Sequence, residues 1–346
     1  MPHRSKKLKL LLAAVKLLVA VAILGFLIAR IQTHSGFERL LNEPKHWPSL
    51  LIAQALILVG YSLSFIRWYL LIRGLGLPFH LRDAFRLGSL GYMLNQVSPG
   101  SVGGDLLKAV FIAKEHPGKR TEAVATVLLD RVIGLYAISL VASVGLILVG
   151  RTAEPSAVLS TIQTIVWTAA LTGTAGLALA LSPAATGNRV RQLADRVPAV
   201  GHTLVRLLEA VAIYRTRRRY LAGALGLALL THNLVIVAFW IICRGLPVYD
   251  PSLIENASIV PLGLTISAIP LTPGGLGTLE AGFEFLFSAI GAAEGDGTII
   301  ALAYRAMTYG VAAIGACYYL TARKSVNRLI HEAEALAEES DKANDE

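Results

Sequence analysis

The chain has 346 residues, of which 54% are hydrophobic and only 16% are charged, and its formal net charge is +9. Soluble domains carry about 25% charged residues, so this composition excludes an ordinary soluble enzyme, a disordered protein and a nucleic-acid-binding module. In a membrane protein, an excess of Lys and Arg instead marks the side that faces the cytoplasm. The two cysteines of the chain exclude a disulfide framework and a zinc cluster.

Six apolar segments are long enough to cross a bilayer core of roughly 30 Å at about 1.5 Å per helical residue. The first follows a basic N-terminus and contains an Ala-Val-Ala sequence that resembles a cleavage site. Because apolar residues continue beyond it, an uncleaved span is expected rather than a signal peptide. In chain order, the predicted spans are residues 10–29, 50–72, 123–149, 158–181, 220–242 and 298–320.

Two further apolar stretches, 84–113 and 253–290, are interrupted by Pro and Gly, and each is predicted to be re-entrant. If the N-terminus lies in the cytoplasm, 23 of the 32 Lys and Arg residues fall on the inner side and 4 on the outer side. This asymmetry favours that orientation, with the C-terminus also cytoplasmic. It requires each broken stretch to enter and leave the membrane on the same side.

The segment 182–219 is the largest predicted cytoplasmic piece. Leu204, Leu207, Leu208 and Val211 recur at helical spacing, which predicts an amphipathic helix ending in an Arg-rich run at 215–219. We expect this helix to lie on the inner headgroup layer and to be held by anionic lipid, the alternative being a dedicated partner site. The tail, residues 321–346, is acidic from residue 332 onward and is expected to be a solvated end.

Two related motifs indicate an internal repeat. The first broken stretch contains SPGSVGG at 98–104, and the second contains TPGGLGT at 272–278, offset by 174 residues. The same offset relates Arg131 to Arg305. Each half would contribute three spans, an odd number, so the halves would face opposite ways, as in the inverted repeats of secondary transporters. The predicted fold is an all-α polytopic membrane protein, with repeats at 1–150 and 151–320.

The Pro-Gly loops and the two Arg residues predict an anion site near the midplane. Pro lacks an N–H group and Gly turns freely, so each motif ends one helix and lets another begin, with a positive dipole end facing the break. The alternative is a kink that only shapes packing. Arg131 and Arg305 lie at membrane depth, where Arg is costly. They would either neutralise a lipid phosphate or pin the loops through Asp105 and Glu280, and the two roles are compatible.

The predicted substrate-binding residues are the two Arg residues, the two loops and the polar residues around them. We identify no catalytic residue, metal ligand or cofactor, because HExxH, CxxC, Walker and GxSxG motifs are absent from the sequence. The predicted site consists of Arg131, Arg305, Asn95, Gln96, Ser98, Pro99, Gly100, Gly103, Gly104, Asp105, Lys108, Thr272, Pro273, Gly274, Gly275, Gly277 and Glu280.

Together these residues resemble a known family. The NQVSPG run at 95–100, the GGD at 103–105, the Asp130–Arg131 pair and the TPGGLG loop with Glu280 resemble the lysylphosphatidylglycerol synthase/flippase transmembrane family, also called the flippase-like domain family. The resemblance covers about residues 10–320. It implies a bacterial inner-membrane protein that moves or handles lipids, in some members aminoacylated phospholipids. Bifunctional members carry a cytosolic aminoacyl-transferase domain after the membrane part. The chain ends at residue 346, so synthase activity is not expected.

The predicted function is translocation of an anionic phospholipid or lipid-linked intermediate between leaflets. Two alternatives stay open: a membrane transferase with Asp105 or Glu280 as the base, and a regulatory or scaffold subunit. The expected partners are the lipid and the bilayer, with no nucleic acid, and self-association into a homo-oligomer stays open.

Overall fold

The structure, a computed structural model of the chain, describes residues 35–97, 103–149, 157–182, 213–269 and 272–321, together with isolated positions elsewhere. Every regular element within these ranges is a helix, and the described part of the chain has no β-strand. The all-α class is therefore confirmed. The predicted span at 10–29, most of the segment 182–219 and the tail beyond Thr321 lie outside the described residues.

The described residues form ten α-helices of eight residues or more, which we number in chain order. Two 3₁₀ turns, Pro117–Lys119 and Pro273–Gly275, precede α5 and α9 respectively. The helices are α1 (Ser35–Asn42), α2 (Trp47–Gly74), α3 (Leu81–Val97), α4 (Gly103–Glu115), α5 (Arg120–Val149), α6 (Ala157–Leu181), α7 (Arg218–Gly245), α8 (Leu253–Ala268), α9 (Thr278–Ala289) and α10 (Asp296–Thr321).

Four of these helices, α2, α5, α7 and α10, are long and apolar enough to cross a membrane. They coincide with four of the predicted spans, which confirms a polytopic membrane protein. The predicted span at 158–181 is also a single helix, the 25-residue α6. One boundary differs from the prediction, because Arg218 and Arg219 belong to α7 rather than to the preceding segment. Long basic side chains can extend a membrane helix in this way, since their charged ends reach back to water.

Each broken stretch consists of two short helices, α3 with α4 and α8 with α9. These helices have 17, 13, 16 and 12 residues, fewer than the roughly 20 that a transmembrane helix needs. The second break lies between Ala268 and Thr278, at the TPGGLG motif. Residues 98–102, between α3 and α4, lie outside the described residues. The second Pro-Gly motif therefore separates two helices, as its chemistry predicts.

Several contacts between helices have a similar contact in the other half of the chain. The helix α2 packs along α7. The last long helix of each half packs against the first short helix of the other half, α5 against α8 and α10 against α3. Within each half, the second short helix packs on the next long helix, α4 on α5 and α9 on α10. The two halves thus interlock through equivalent contacts.

Glycines allow the closest of these reciprocal contacts. A Cβ added to Gly145 of α5 would overlap the carbonyl group of Ala257 in α8. Likewise, a Cβ added to Gly315 of α10 would overlap the carbonyl group of Ser89 in α3. Small residues let membrane helices approach closely, and this matters because van der Waals packing is a main source of their attraction. The same device therefore holds both crossings between the halves.

The apolar core forms two clusters that meet along α2. One includes Trp68 and Leu107, and the other is built around the aromatic rings of Phe239 and Phe283. The rings of this second pair stack with their centroids 4.8 Å apart. Arg67 lies on α2 where residues of one cluster give way to residues of the other. A charged side chain therefore enters the core at the boundary between its two parts.

Candidate functional site

The second Pro-Gly loop is a tight turn that depends on glycine. Gly274, Gly275 and Gly277 have φ angles of 57°, 67° and 81°. In this left-handed region a Cβ is unfavourable, and glycine adopts such angles readily. Pro273 begins the 3₁₀ turn, and Gly277 caps the start of α9. The motif is therefore explained by the backbone shape of the loop, whatever ligand the loop contacts.

Arg305 pins this loop from the side of α10. Its guanidinium donates to both carboxylate oxygens of Glu280, at 2.5 and 3.1 Å. It also donates to the carbonyl oxygens of Gly274 and Gly275, at 2.9 and 2.8 Å. The Arg305 side chain is only 7% exposed and that of Glu280 is fully buried. The predicted pairing of Arg305 with Glu280 is confirmed, and its geometry is that of a structural pin.

The start of α9, a predicted anion site, holds a carboxylate of the chain itself. Glu280 Oε2 accepts a hydrogen bond from the backbone N–H of Gly277 at 2.8 Å. A carboxylate in the first turn of a helix interacts favourably with the positive end of the helix dipole. In this arrangement Glu280 both caps α9 and neutralises Arg305.

The described residues on either side of 98–102 contact one another. Asn95 Oδ1 accepts a hydrogen bond from the backbone N–H of Gly104 at 2.8 Å, so the last turn of α3 caps the start of α4. Gly104 also contacts the backbone of Gly91 so closely that a Cβ would overlap its carbonyl group. Of the predicted site, Ser98, Pro99 and Gly100 lie outside the described residues.

Arg131 pairs with Asp105 across α5 and α4, as predicted. Its Nε donates to Asp105 Oδ2 at 2.5 Å. The Arg131 side chain is 48% exposed, in contrast to the buried Arg305, and that of Asp105 is 18% exposed. The two arginines related by the 174-residue offset therefore occupy different environments. Arg305 is enclosed by its loop, whereas part of Arg131 is accessible from outside the helix bundle.

Lys108 belongs to the same cluster as Arg131. Its Nζ lies 3.9 Å from Asp105 Oδ1, one helical turn away, and 5.1 Å from the centroid of the Trp68 ring. A cation over the face of an indole ring is attracted by the electron density of that face. Asp105 thus lies between two cations, one on its own helix and one on α5.

Sequence reasoning missed the ion pair between Arg67 and Asp130. Arg67 Nε donates to one carboxylate oxygen of Asp130 at 2.7 Å, and its second nitrogen donates to the other at 3.1 Å. Both side chains are mostly buried, at 10% and 13% exposed. The available signal was a charge inside each of two predicted spans, which favours pairing across helices because an unpaired charge there is costly.

These five side chains form what we call the charged cluster: Arg67, Asp105, Lys108, Asp130 and Arg131. When Lys108 is protonated, three cations face two carboxylates, so the cluster carries a formal excess of one positive charge. Arg131 lies 11 residues after the first residue of α5, or about 16 Å along the helix axis. Among the described residues, the cluster therefore has one more positive than negative side chain, well inside the apolar helix α5.

The second loop touches the end of α3. A Cβ added to Gly274 would lie 2.9 Å from Gln96 Oε1, so predicted residues from both halves meet here. Nearby, the hydroxyl of Tyr61 lies 3.0 Å from that of Tyr92 and 3.4 Å from that of Tyr304. A polar core therefore links α2, α3 and α10 beside the loop.

The predicted site thus separates into two groups. Asp105, Lys108 and Arg131 belong to the charged cluster, with Asn95 at the end of α3 and Gly103 and Gly104 at the start of α4. The second group surrounds the pinned loop. Its Thr272 is 1% exposed, and its hydroxyl has no hydrogen-bond partner in the part of the chain that the structure describes. The remaining members of this group are Gln96, Pro273, Gly274, Gly275, Gly277, Glu280 and Arg305.

Comparison with protein families matches residues 13–315 of the chain to the family described as Lysylphosphatidylglycerol synthase TM region. The chain belongs to this family. As a member of the Lysylphosphatidylglycerol synthase TM region family, it is an integral membrane protein linked to lipid handling. No curated protein and no solved structure matches the chain. The charged cluster and the pinned loop both lie within the matched residues.

Proposed function

We propose that the chain moves an anionic phospholipid, or an anionic lipid-linked intermediate, from one leaflet to the other. The observation that carries this proposal is the charged cluster, with its positive excess and its half-exposed Arg131. An Arg at the centre of a membrane helix costs roughly 2.5–3.5 kcal/mol even on the mildest scale. A lipid phosphate beside Arg131 would reduce that cost. Membership of a lipid-handling membrane family supports the same conclusion.

The residues of the charged cluster have distinct roles in this proposal. Arg131 and Lys108 attract the phosphate, and Asp105 neutralises Arg131 when no lipid is present. The pair formed by Arg67 and Asp130 is bidentate and mostly buried, so it holds α2 against α5 rather than binding lipid. Charge-assisted hydrogen bonds of this kind are stronger than neutral ones, which keeps the framework fixed while the lipid exchanges.

The second half of the chain supplies a fixed wall rather than a second phosphate site. The Arg305 guanidinium is buried, and four hydrogen bonds hold it to Glu280 and to the loop. We propose that the halves are inverted repeats with re-entrant loops. Support comes from the reciprocal packing of α5 on α8 and α10 on α3, and from helices too short to span.

We further propose that the protein lies in the bacterial inner membrane with both termini in the cytoplasm. The distribution of Lys and Arg along the sequence supports this orientation. Reporter enzymes fused at two loops test it. Alkaline phosphatase, which is active only outside the cytoplasm, should be active when fused at Val248 and inactive when fused at Leu77. Activity at Leu77 would contradict the orientation.

The experiment that tests lipid movement uses the purified chain in vesicles with a labelled anionic lipid, and measures how fast the label changes leaflet. We expect Arg131→Gln to slow this rate at least tenfold, which corresponds to about 1.4 kcal/mol in the barrier. Arg244→Gln is the matched control, because Arg244 is 50% exposed and also pairs with an Asp. Equal rates for the two variants would refute the proposed role of Arg131.

The same vesicles separate transport from lipid chemistry. Mass spectrometry of the recovered lipid should show an unchanged mass, as expected for a transporter. A covalently changed lipid would instead favour the transferase alternative, with Asp105 or Glu280 as the base.

A further inference from the structure

The face of α5 that carries Arg131 is otherwise apolar and exposed. Val124, Leu128, Arg131 and Leu135 follow one another at intervals of four, three and four residues, which places all four side chains on one side of the helix. Leu128 is 57% exposed and Leu135 is 51% exposed. Val132, the neighbour of Arg131 in sequence, is exposed as well. A half-exposed guanidinium therefore lies in the middle of an apolar strip, with apolar residues both before and after it.

This setting favours a lipid over a soluble anion. A water-filled path to Arg131 would bring water against the apolar side chains on both sides of it, which is unfavourable. Exposed apolar residues on a membrane helix instead face acyl chains. A ligand that satisfies both parts of the strip has an anionic group for Arg131 and hydrocarbon for Leu128 and Leu135.

We infer that this strip is the acyl-chain track of the transported lipid. The chains of an anionic glycerophospholipid lie along Val124, Leu128 and Leu135 on the outside of α5, while its phosphate reaches Arg131 and the charged cluster from the side. From Val124 to Leu135 the strip extends about 16 Å along the helix axis. The inference rests on the proposed function and adds to it a lateral route, in which the chains stay in the bilayer throughout.

The helix α6 provides an internal comparison. Its residues Ile165 and Leu171 are exposed and apolar, yet the helix contains no charged residue anywhere along its length. Contact with bulk lipid alone explains such a surface. Of α5 and α6, only α5 combines an apolar exposed face with a guanidinium that the charged cluster holds in place.

Photocrosslinking in the full-length protein tests the track. Benzoylphenylalanine is placed at Leu128, or at Leu171 as the control, and the protein is reconstituted in vesicles of equal parts phosphatidylglycerol and phosphatidylcholine. Mass spectrometry then identifies the lipid crosslinked after illumination. We expect several-fold enrichment of the anionic phosphatidylglycerol at Leu128 and none at Leu171. Arg131→Gln should abolish the enrichment at Leu128 and leave the control unchanged.

The outcomes separate this inference from the proposed function. If the two lipids crosslink at Leu128 in the same ratio as they occur in the vesicle, the acyl-chain track is refuted. The proposed function would still be supported if Arg131→Gln stopped lipid movement. In the opposite case, Arg131→Gln would abolish the phosphatidylglycerol enrichment but leave the rate of lipid movement unchanged. That result would support the strip as a lipid-binding surface and would refute transport along it.

Discussion

Replacing Glu280 by Gln tests whether the second loop is held by a buried ion pair. The substitution keeps the shape of the side chain and removes its charge, so the buried Arg305 loses its counter-ion. Removing one partner of a buried pair costs about 3–5 kcal/mol because the remaining charge is uncompensated. At about 1.4 kcal/mol per tenfold change, this lowers the folding equilibrium constant by roughly two to three and a half orders of magnitude.

The matched variant is Asp105→Asn, which removes the carboxylate from the equivalent pair in the first half. Because its partner Arg131 is 48% exposed, other anionic groups can reach it, and the expected cost is smaller than that of Glu280→Gln. Thermal unfolding of each purified variant in detergent, followed by size-exclusion chromatography, measures the difference. We expect Glu280→Gln to lower the midpoint by several degrees more than Asp105→Asn. Equal shifts, or a larger shift for Asp105→Asn, would refute the contrast between a pinned and an accessible arginine.

Two further substitutions test the packing and the charged cluster by the same thermal measurement. Gly315→Ala should destabilise the protein, because the added Cβ would overlap a backbone carbonyl of α3. The control Gly176→Ala should be neutral or stabilise the protein by about 0.5–1 kcal/mol, because Gly176 has open space around it. A stabilised Gly315→Ala variant would show that the close crossing is absent. Asp130→Asn should lower the midpoint by several degrees, since it leaves the mostly buried Arg67 without its carboxylate; an unchanged midpoint would show that this pair does not hold α2 to α5.

Local chemistry in the sequence predicted the helix breaks and two of the ion pairs. Pro and Gly at 272–278 stop and restart a helix wherever they occur, so the break between α8 and α9 follows from the residues alone. The partners of Arg131 and Arg305 were predictable because each carboxylate lies just after a Pro-Gly loop, with the Arg on the next long helix. Short connections between these helices bring the charges together.

Contacts between helices that are distant in sequence could not be predicted in the same way. Arg67 and Asp130 are 63 residues apart, and an apolar span can rotate so that any of several faces meets its neighbour. The rotation of α2 is set by packing in three dimensions, such as the insertion of Trp68 into the core. The sequence indicates that Arg67 and Asp130 each need an oppositely charged partner. The packing of the helices determines that they pair with each other.

The difference in exposure between Arg131 and Arg305 could not be predicted from the sequence either. The 174-residue offset suggests equivalent roles for Arg131 and Arg305, yet the Arg131 side chain is 48% exposed and that of Arg305 only 7%. Arg305 donates hydrogen bonds to the carbonyl oxygens of Gly274 and Gly275. Those bonds exist because Gly274 and Gly275 adopt left-handed backbone angles that turn their carbonyl groups toward α10. The conformation of the second loop therefore makes Arg305 a structural pin, which the residue types alone do not reveal.

The selectivity of lipid movement tests the central claim most directly. The measurement is the ratio of leaflet-exchange rates for labelled phosphatidylglycerol and labelled phosphatidylcholine, in vesicles that contain either the unmodified chain or Arg131→Gln. If the charged cluster receives a lipid phosphate through its positive excess, the unmodified chain should prefer the anionic lipid and Arg131→Gln should bring the ratio toward one. An anionic preference that is the same in both proteins would contradict the assignment of this cluster as the lipid site.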